Sequence, residues 1–263
     1  ENQCEGHCIR NRMPSHDPVH FSIIEDYIST TYANKMTSGP APRNGMKAAV
    51  VGSGPAGLTV AVLLARWGYD VTIFDARDKI GGVMRYGIPN YRLPREVLDA
   101  EIASMLALGI DVHVNVNVGD DVTFDELRQQ NDALYIALGA HTDKKTGIEG
   151  EDAEGVISAV EMLREIGDDY MPDFRNKDIV VIGGGNAAID VARAALRLTK
   201  GSVNMYCLEK DEEMPTVPDE KNAGIADGVV INNSWAPKAI LGGGGVAFDC
   251  AFTVKRLGAA ETH

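Results

Sequence analysis

"AVVGSGPAGLTVA" at residues 49–61 is an apolar strand that runs into three glycines and then into a helix. In this pattern Gly52 permits a tight turn, Gly54 lets the backbone approach a pyrophosphate, and Gly57 lets helix and strand pack closely. A pyrophosphate there would meet free N–H groups and the positive end of the helix dipole. Asp75 ends the next strand, where an acid can accept hydrogen bonds from ribose hydroxyls. The spacing predicts a βαβ unit that binds a dinucleotide, and the alternative is a Gly-rich turn that serves packing alone.

A second stretch, "VVIGGGNAAIDVA" at residues 180–192, repeats this pattern. Gly183 and Gly185 take the first two places, and Ala188 takes the third, where alanine is a tolerated variant. Glu209 stands at the end of the strand that follows, in the place of the acid of the first unit. Two such units in series suggest one flavin dinucleotide and one nicotinamide dinucleotide, with hydride exchange between their rings.

The composition fits a globular protein with one sizeable core or two modest ones, since 44% of the 263 residues are apolar. A formal net charge of −13 argues against a nucleic-acid or anionic-membrane surface, because both need clustered cations. No apolar stretch approaches the roughly 20 residues that cross a bilayer. The sequence therefore predicts a cytoplasmic protein that neither binds nucleic acid nor inserts into a membrane.

Strand-like and helix-like segments alternate along most of the chain, which predicts an α/β protein with parallel sheets covered on both faces. The predicted fold has two Rossmann-like dinucleotide-binding domains after a short N-terminal segment with a helix and cysteines. Its predicted parts are an N-terminal segment (1–44), an FAD-binding domain (45–145), a connection (146–177) and an NAD(P)-binding domain (178–263).

Local signals place several elements within these parts. Apolar residues recur at helical spacing over 93–109 and predict a helix that ends at a glycine. The segment 110–119 is strand-like, and Thr123 with Glu126 predicts a helix start with a capping box. "LGGGG" at 241–245 is interpreted as a hairpin turn.

Four longer stretches resemble one family: "RYGIPNYRLP" (85–94), "ALYIALGAH" (133–141), "VIGGGNAAIDVARAALRL" (181–198) and "EEMPTVPDEKNAGIADGV" (212–229). They are similar to the small (beta) subunit of glutamate synthase and to related flavin subunits of ferredoxin-linked and electron-bifurcating NAD(P)H oxidoreductases. The similarity extends from Met46 to the C-terminus. It implies FAD at the first glycine loop and a nicotinamide dinucleotide at the second.

The resemblance also implies which residues contact FAD. Those near the pyrophosphate and the adenosine are Gly52, Ser53, Gly54, Pro55, Ala56, Gly57, Asp75, Ala76, Arg77 and Val118. Those near the flavin are Gly82, Val83, Gly87, Ile88 and Arg92, and those at a second strand end are Ala137, Leu138 and Gly139. An alternative for 86–94 is a structural loop made rigid by its prolines. For Arg85 and Arg92, ion pairing is expected rather than catalysis.

The second glycine loop is expected to hold NADH in preference to NADPH. Its implied contacts are Gly183, Gly184, Gly185, Asn186, Ala187, Ala188, Glu209 and Lys210. Family members with NADPH specificity tend to carry two arginines where this chain has Leu208 and Glu209. An anionic side chain in that place repels a 2′-phosphate, and Lys210 is a cation that would compensate in part.

Cys4 and Cys8 form a C-x3-C pair, a spacing that suits iron–sulfur ligation. Family members often hold clusters there on several cysteines, usually ending in C-x3-C-P, whereas Ile9 follows the pair in this chain. The pair is interpreted as two ligands of a [4Fe-4S] cluster whose other ligands lie elsewhere, and the alternative is a chance pair with no cluster. Cys207 and Cys250 are predicted to be single buried thiols.

Family chains continue beyond the point that corresponds to His263 and return to the flavin domain, so the C-terminal part of that domain is expected to be missing. The sequence contains no C-x-x-C motif, and thioredoxin-reductase-like disulfide chemistry is therefore not predicted.

The resemblance implies a flavin-dependent oxidoreductase subunit that transfers hydride between NAD(H) and FAD. Electrons would pass to or from iron–sulfur centres of partner subunits in a larger complex. The alternative is a non-catalytic electron-transfer or scaffold subunit that keeps the nucleotide-binding fold. Catalysis by the flavin needs no catalytic side chain, and the sequence predicts none.

Overall fold

The computed structural model describes residues 3–14, 16–32, 39–142, 145–241 and 251–256. Its helices are α1 (Gln3–Gly6), α2 (Phe21–Tyr32), α3 (Pro55–Arg66), α4 (Val83–Tyr86), α5 (Arg95–Leu106), α6 (Phe124–Gln130), α7 (Ala159–Gly167), α8 (Asn186–Leu198) and α9 (Pro218–Asp227). Its strands are β1 (Lys47–Val51), β2 (Asp70–Phe74), β3 (Asp111–His113), β4 (Ala133–Ile136), β5 (Ile179–Ile182), β6 (Val203–Tyr206), β7 (Val230–Asn232), β8 (Trp235–Leu241) and β9 (Ala251–Arg256). Helices and strands alternate, and the predicted α/β class is confirmed.

The first sheet has four parallel strands in the order β3-β2-β1-β4. Strand β1 lies inside it, and its Ala49 and Val50 are fully buried. Helix α3 packs on this sheet through Leu58 and Ala61, which are also buried. Because the strands are parallel, the carboxyl ends of β1, β2 and β4 meet at one edge. We call this sheet with α3 to α6 the first unit.

The second sheet has three parallel strands in the order β5-β6-β7. Its core contains Ile189 of α8 and Met205 of β6, both fully buried. Helix α7 lies in the connection between the sheets and contributes Met162 and Leu163 to this second core. We call this sheet with α8 and α9 the second unit.

A two-stranded antiparallel ribbon follows the second unit and is formed by β8 and β9. The backbone N–H of Ile240 donates to the carbonyl oxygen of Glu149 at 2.7 Å, which fixes β8 on the connection between the units. The hairpin turn predicted at 241–245 lies between these strands, largely outside the described residues.

Several local predictions are confirmed by the structure. The helix predicted in the N-terminal segment is α2, and α6 begins at Thr123 with the predicted capping box to Glu126. The strand predicted over 110–119 is shorter, because β3 ends at His113 and Asn115 adopts a left-handed φ of 56°. Among the described residues, no helix has the length and apolar character needed to span a bilayer.

Candidate functional site

The three glycines of the first loop differ in what their backbone and surroundings allow. Gly52 has a φ of 101°, and a Cβ added to it would lie 2.3 Å from the carbonyl oxygen of Ala137 at the end of β4. A Cβ on Gly57 would lie 1.9 Å from the carbonyl oxygen of Gly52. Gly54 has an ordinary φ of −72°, and the atom nearest to a Cβ added there would be Gly82 Cα, at 3.8 Å. Turn geometry and packing therefore require glycine at the first and third positions but not at Gly54.

A carboxylate from the second strand holds this loop in place. The Oδ2 atom of Asp75 accepts hydrogen bonds from the backbone N–H of Ser53, at 2.8 Å, and from its hydroxyl. Ser53 is fully buried, and its hydroxyl oxygen accepts a bond from Gly81 N–H. The Oδ1 atom of Asp75 accepts from the backbone N–H of Arg77. Asp75 thus lies at the glycine loop, as the spacing predicts.

The predicted flavin-side residues begin directly beside this loop. A Cβ on Gly82 would lie 2.5 Å from Gly54 Cα, so the two backbones are in contact. Val83 follows at the start of α4 with 57% of its surface exposed, and Gly87 caps the end of that helix. The structure thus brings Gly82 beside Gly54, and Gly87 lies against Val83 at the other end of this short helix. Ile88 is half-buried and follows this turn.

Other predicted contacts of the first loop are more scattered. Ala137 lies against Gly52 at the end of β4, and Leu138 and Gly139 follow it on the surface. Val118 packs into a small core beneath the sheet, beside Val51. Pro55 and Ala56, at the exposed start of α3, and Ala76, just after β2, face solvent.

Arg77 was predicted among these contacts and has protein partners. Its guanidinium pairs with Asp168 at 3.0 Å and lies 4.7 Å from the centre of the Tyr86 ring. Arg85 is buried and pairs with Asp99, and its Nε donates to the carbonyl oxygen of Ile80. The expected ion pairing of Arg85 is thus present.

The second loop has the same division of roles. Gly183 has a φ of 135°, and a Cβ on it would lie 3.5 Å from that of Ala188 at the third position. Gly185 has an ordinary φ of −89°, and a Cβ there would meet no atom of the described residues within 4 Å. In both loops, the second glycine of the motif, Gly54 or Gly185, is therefore required neither by packing within the protein nor by its backbone conformation.

An acid also lies on the second loop. The Oε2 atom of Glu209 would be 2.9 Å from a Cβ on Gly184, and Cys207 lies on the same side of that glycine. Burial raises the pKa of the Cys207 thiol, as expected for the predicted buried cysteine. Lys210 is exposed and 3.5 Å from the carboxylate of Glu213. The carboxylate of Glu209 is thus at the loop, with a surface cation next to it in the chain.

The first turn of α8 is anchored by its own side chains. Asn186 follows Gly185, and its Oδ1 accepts from the hydroxyl of Thr216 at 2.8 Å and from the N–H of Val217 at 2.9 Å. Ala187 is exposed on the outer side of this turn, and Ala188 is buried. These contacts fix the helix start whose N–H groups the predicted dinucleotide would meet.

One group of residues was missed by the sequence reasoning. Asp190 is buried on α8, and its Oδ2 lies 2.7 Å from a guanidinium nitrogen of Arg92. Burial raises the pKa of the Asp190 carboxyl, and the Arg92 guanidinium opposes that rise. An acid on the alanine-rich inner face of a helix is the signal that could have revealed it. Arg92, predicted near the flavin, is placed between the two units.

The two N-terminal cysteines are both free thiols, Cys4 exposed and Cys8 half-buried. Hydrogen bonds from the backbone N–H groups of Val19 and Arg10 hold the pKa of the Cys8 thiol below its ordinary value. Within the described residues, no group of three or more His, Cys, Asp or Glu side chains could hold a metal ion. The described part of the chain therefore does not assemble a complete metal or cluster site around this pair.

Comparison with known proteins identifies the family. The pyridine nucleotide-disulphide oxidoreductase family matches residues 46–227, and the chain belongs to it. The chain is 41% identical over 203 residues to the NADP(+)-dependent formate dehydrogenase subunit beta of Moorella thermoacetica, a match that covers 76% of this chain and 29% of the relative. It is 31% identical over 257 residues to a putative glutamate synthase (NADPH) small chain of Cereibacter sphaeroides, covering 92% and 61%. The resemblance to glutamate synthase small subunits is confirmed.

A solved structure shows the same fold. FprA of Mycobacterium tuberculosis in complex with NADPH superposes with a TM-score of 0.63 at 20% sequence identity, covering 77% of this chain and 62% of that one. The chain thus spans about a third to three fifths of the length of these relatives. The names of the Moorella thermoacetica and Cereibacter sphaeroides relatives specify NADP(+) or NADPH and give no support to the predicted NADH preference.

The first loop predicts opposite results for two neighbouring glycines. Gly57→Ala forces a methyl group onto the Gly52 carbonyl and should lower the free energy of unfolding by about 1–3 kcal/mol or more. Gly54→Ala makes only an ordinary contact, 3.8 Å from Gly82 Cα, at an ordinary φ and should change the free energy of unfolding by less than about 0.5 kcal/mol. Denaturant unfolding of both variants without added nucleotide measures the difference, and equal losses would contradict the geometry described above.

Proposed function

We propose that this chain is part of an oxidoreductase subunit in which hydride passes between a nicotinamide dinucleotide and FAD. The first glycine loop would hold FAD and the second the nicotinamide dinucleotide. One observation carries the proposal: Gly54 and Gly185 have ordinary backbone angles, and an added Cβ would make only an ordinary contact at Gly54, 3.8 Å from Gly82 Cα, and would meet no described atom within 4 Å at Gly185. When neither packing nor backbone conformation requires a glycine, a ligand that closely approaches its backbone explains it. In this motif, a pyrophosphate makes that approach at the second glycine.

The chain's own residues would bind and orient the two dinucleotides. At the first loop, the exposed N-terminus of α3 would face the pyrophosphate, and Asp75 lies where the adenosine ribose would donate to it. Gly82 and Val83 would approach the flavin side. When bound, FAD supplies the hydride and electron chemistry, and the protein supplies position and surroundings. The remaining predicted contacts of this loop are proposed with it, apart from Arg92.

At the second loop, the N-terminus of α8 would face the other pyrophosphate. Glu209 lies where the adenosine ribose hydroxyls would meet a carboxylate, which favours NADH. Two like charges about 4 Å apart at an effective dielectric near 20 repel by roughly 4 kcal/mol, and a quarter of that is about fivefold in affinity. This preference rests on Glu209 alone, since the relatives are named for NADP(H). Lys210 would reduce it.

The proposed domain limits follow the two units: FAD in 45–145 and the nicotinamide dinucleotide in 178–263, joined by 146–177. The relatives named beta subunit and small chain suggest that this chain also works beside partner subunits. We propose iron–sulfur proteins as those partners, and Cys4 and Cys8 as two ligands of a [4Fe-4S] cluster completed by residues outside the described part. Disulfide chemistry is not proposed, because the sequence has no C-x-x-C motif.

The assignment of the two loops predicts a crossover between two variants. Gly54→Ala should lower FAD content and leave nicotinamide dinucleotide binding unchanged, whereas Gly185→Ala should do the reverse, because each methyl group fills one cradle. Flavin absorbance and calorimetric titration with NADH and NADPH measure both quantities on the native chain. In the wild type the flavin absorbance should bleach on adding the preferred nucleotide. A wild type that binds neither nucleotide would instead favour the non-catalytic scaffold.

The position of Glu209 predicts the nucleotide preference. The wild type should have a kcat/KM for NADH above that for NADPH by about fivefold, and Glu209→Gln should reduce this ratio, because the repulsion of the 2′-phosphate is removed. Glu212→Gln makes the same charge change on the nearby surface and serves as the control. Equal or greater efficiency of the wild type with NADPH would show that Glu209 does not set the preference.

The cysteine pair predicts iron in the native protein. Iron and acid-labile sulfide should be present in the native chain isolated without oxygen, and Cys8→Ser should lower both, because one thiolate ligand is lost. Cys207→Ser, a change at a buried thiol of the second unit, should leave them unchanged. Absence of iron from the wild type would leave the chance pair as the explanation.

A further inference from the structure

Arg92 connects the two units through both sides of its guanidinium group. One terminal nitrogen lies 2.7 Å from Asp190 Oδ2 on α8, and the other lies 2.6 Å from Glu220 Oε1 on α9. Glu220 in turn contacts Arg193 of α8, at 3.3 Å. A planar guanidinium can hold two carboxylates at fixed directions, which a lysine ammonium cannot do. Arg92 therefore fixes a direction as well as a distance between its loop and the two helices.

Tyr91 reinforces this contact from the neighbouring position. The guanidinium groups of Arg193 and Arg197 lie 4.8 and 3.9 Å from the centre of its ring. Its hydroxyl donates to the backbone carbonyl oxygen of Asp190 at 3.3 Å. Burial raises the pKa of the Tyr91 hydroxyl to about 12, so it is a donor at neutral pH. We call Tyr91 and Arg92, with Asp190, Arg193, Arg197, Glu220 and Asp227, the interdomain clamp.

The buried carboxylate at the centre of the clamp is unusual for a contact that only adds stability. The Asp190 side chain is 7% exposed, and its Oδ1 has no hydrogen-bond partner among the residues that the structure describes. Apolar residues of similar volume often stabilise a protein as well as a buried ion pair does, or better. A directional role accounts for the charges more simply than stability does.

Each side of the clamp is close in the chain to one of the two glycine loops. Asp190 is five residues after Gly185, which is about 7.5 Å along helix α8. Gly82, at the start of α4, lies beside Gly54, and Gly87 ends that helix. Arg92 lies in the segment that follows Gly87. A movement of the clamp would therefore be passed to the two loops through short segments of chain.

We propose that the interdomain clamp positions the second glycine loop against the flavin side of the first. Arg92 and Asp190 are thus positioning residues, which set the approach of the nicotinamide to the flavin without touching either. This inference rests on the proposed function for its substrates, and it replaces the flavin contact predicted for Arg92. Misplacement of reacting groups by about 1 Å can slow a reaction by about a hundredfold, so such a role has a large kinetic effect.

A second contact between the units makes the clamp testable. The end of α7 lies against the first unit, where a Cβ on Gly167 would be 2.7 Å from Tyr86 Cα, and Asp168 pairs with Arg77. Helix α7 also belongs to the core of the second unit through Met162. Loss of the clamp therefore leaves the units attached and changes their orientation.

The experiment compares Arg92→Gln, Asp190→Asn and the double variant in the full native chain. In Arg92→Gln, the rate constant of flavin reduction at saturating NADH or NADPH should fall at least about tenfold while the dissociation constant changes less than about twofold. Arg92→Lys should recover part of the rate. The double variant should be no slower than either single variant, because the two residues act together. Hydrogen exchange without nucleotide should become faster in 87–94 and 186–192.

Arg175→Gln is the matched control, since Arg175 pairs with Asp173 on the surface at 2.7 Å, and it should leave all these quantities unchanged. Glu220→Gln, which keeps the Asp190 pair, is the milder variant if Arg92→Gln does not fold. An unchanged reduction rate would overturn the proposal, and so would a loss confined to nucleotide or flavin affinity. If the wild type binds no flavin, the proposed function fails, and the exchange measurement then decides on the clamp: unchanged exchange overturns it.

Discussion

The start of helix α3 lies so close to the end of β1 that no side chain fits between them at Gly57. This contact, in which an added Cβ would be 1.9 Å from the Gly52 carbonyl oxygen, determines the direction of the helix. The N-terminus of the helix then lies at the carboxyl edge of the sheet, where the ends of β1, β2 and β4 meet. As a consequence of this contact, the free N–H groups at the start of α3 lie close to the carboxylate of Asp75 and to the turn at Gly82.

The two glycine loops share one pattern and differ in the residue at its third position. Ala188 replaces the third glycine in the second loop, and its methyl group would lie 3.5 Å from a Cβ added to Gly183, an ordinary contact distance. Each loop carries a carboxylate from the end of its second strand, Asp75 on the first and Glu209 on the second. Asp75 bonds to the loop backbone, whereas Glu209 lies over Gly184. The first acid thus also stabilises its loop, whereas for the second we propose a role toward the bound nucleotide.

Local features of this structure were predictable, because a strand, a turn and a helix start are each determined within a few residues. The turn at Gly52, the close packing at Gly57 and the capping box at Thr123 are of this kind. The strand β3 was overestimated, since alternating valines do not show that Asn115 turns left-handed. The Arg92–Asp190 pair joins residues 98 positions apart in the chain. No local pattern encodes that pairing, and only the fold brings these charges together.

The charges of the interdomain clamp also show why orientation between two such units needs more than apolar contact. Hydrophobic attraction is proportional to buried area and has no preferred direction, so two packed surfaces can slide with little change in energy. An ion pair held by both sides of a guanidinium loses its geometry after a small displacement. Asp190, the partner of Arg92, lies within about two helical turns of the second glycine loop. An ion pair that tolerates little displacement at this distance would also hold the loop in one position. The cost of that arrangement is Asp190 Oδ1, which has no hydrogen-bond partner in the part of the chain that the structure describes, since burial opposes the charge that makes the pair directional.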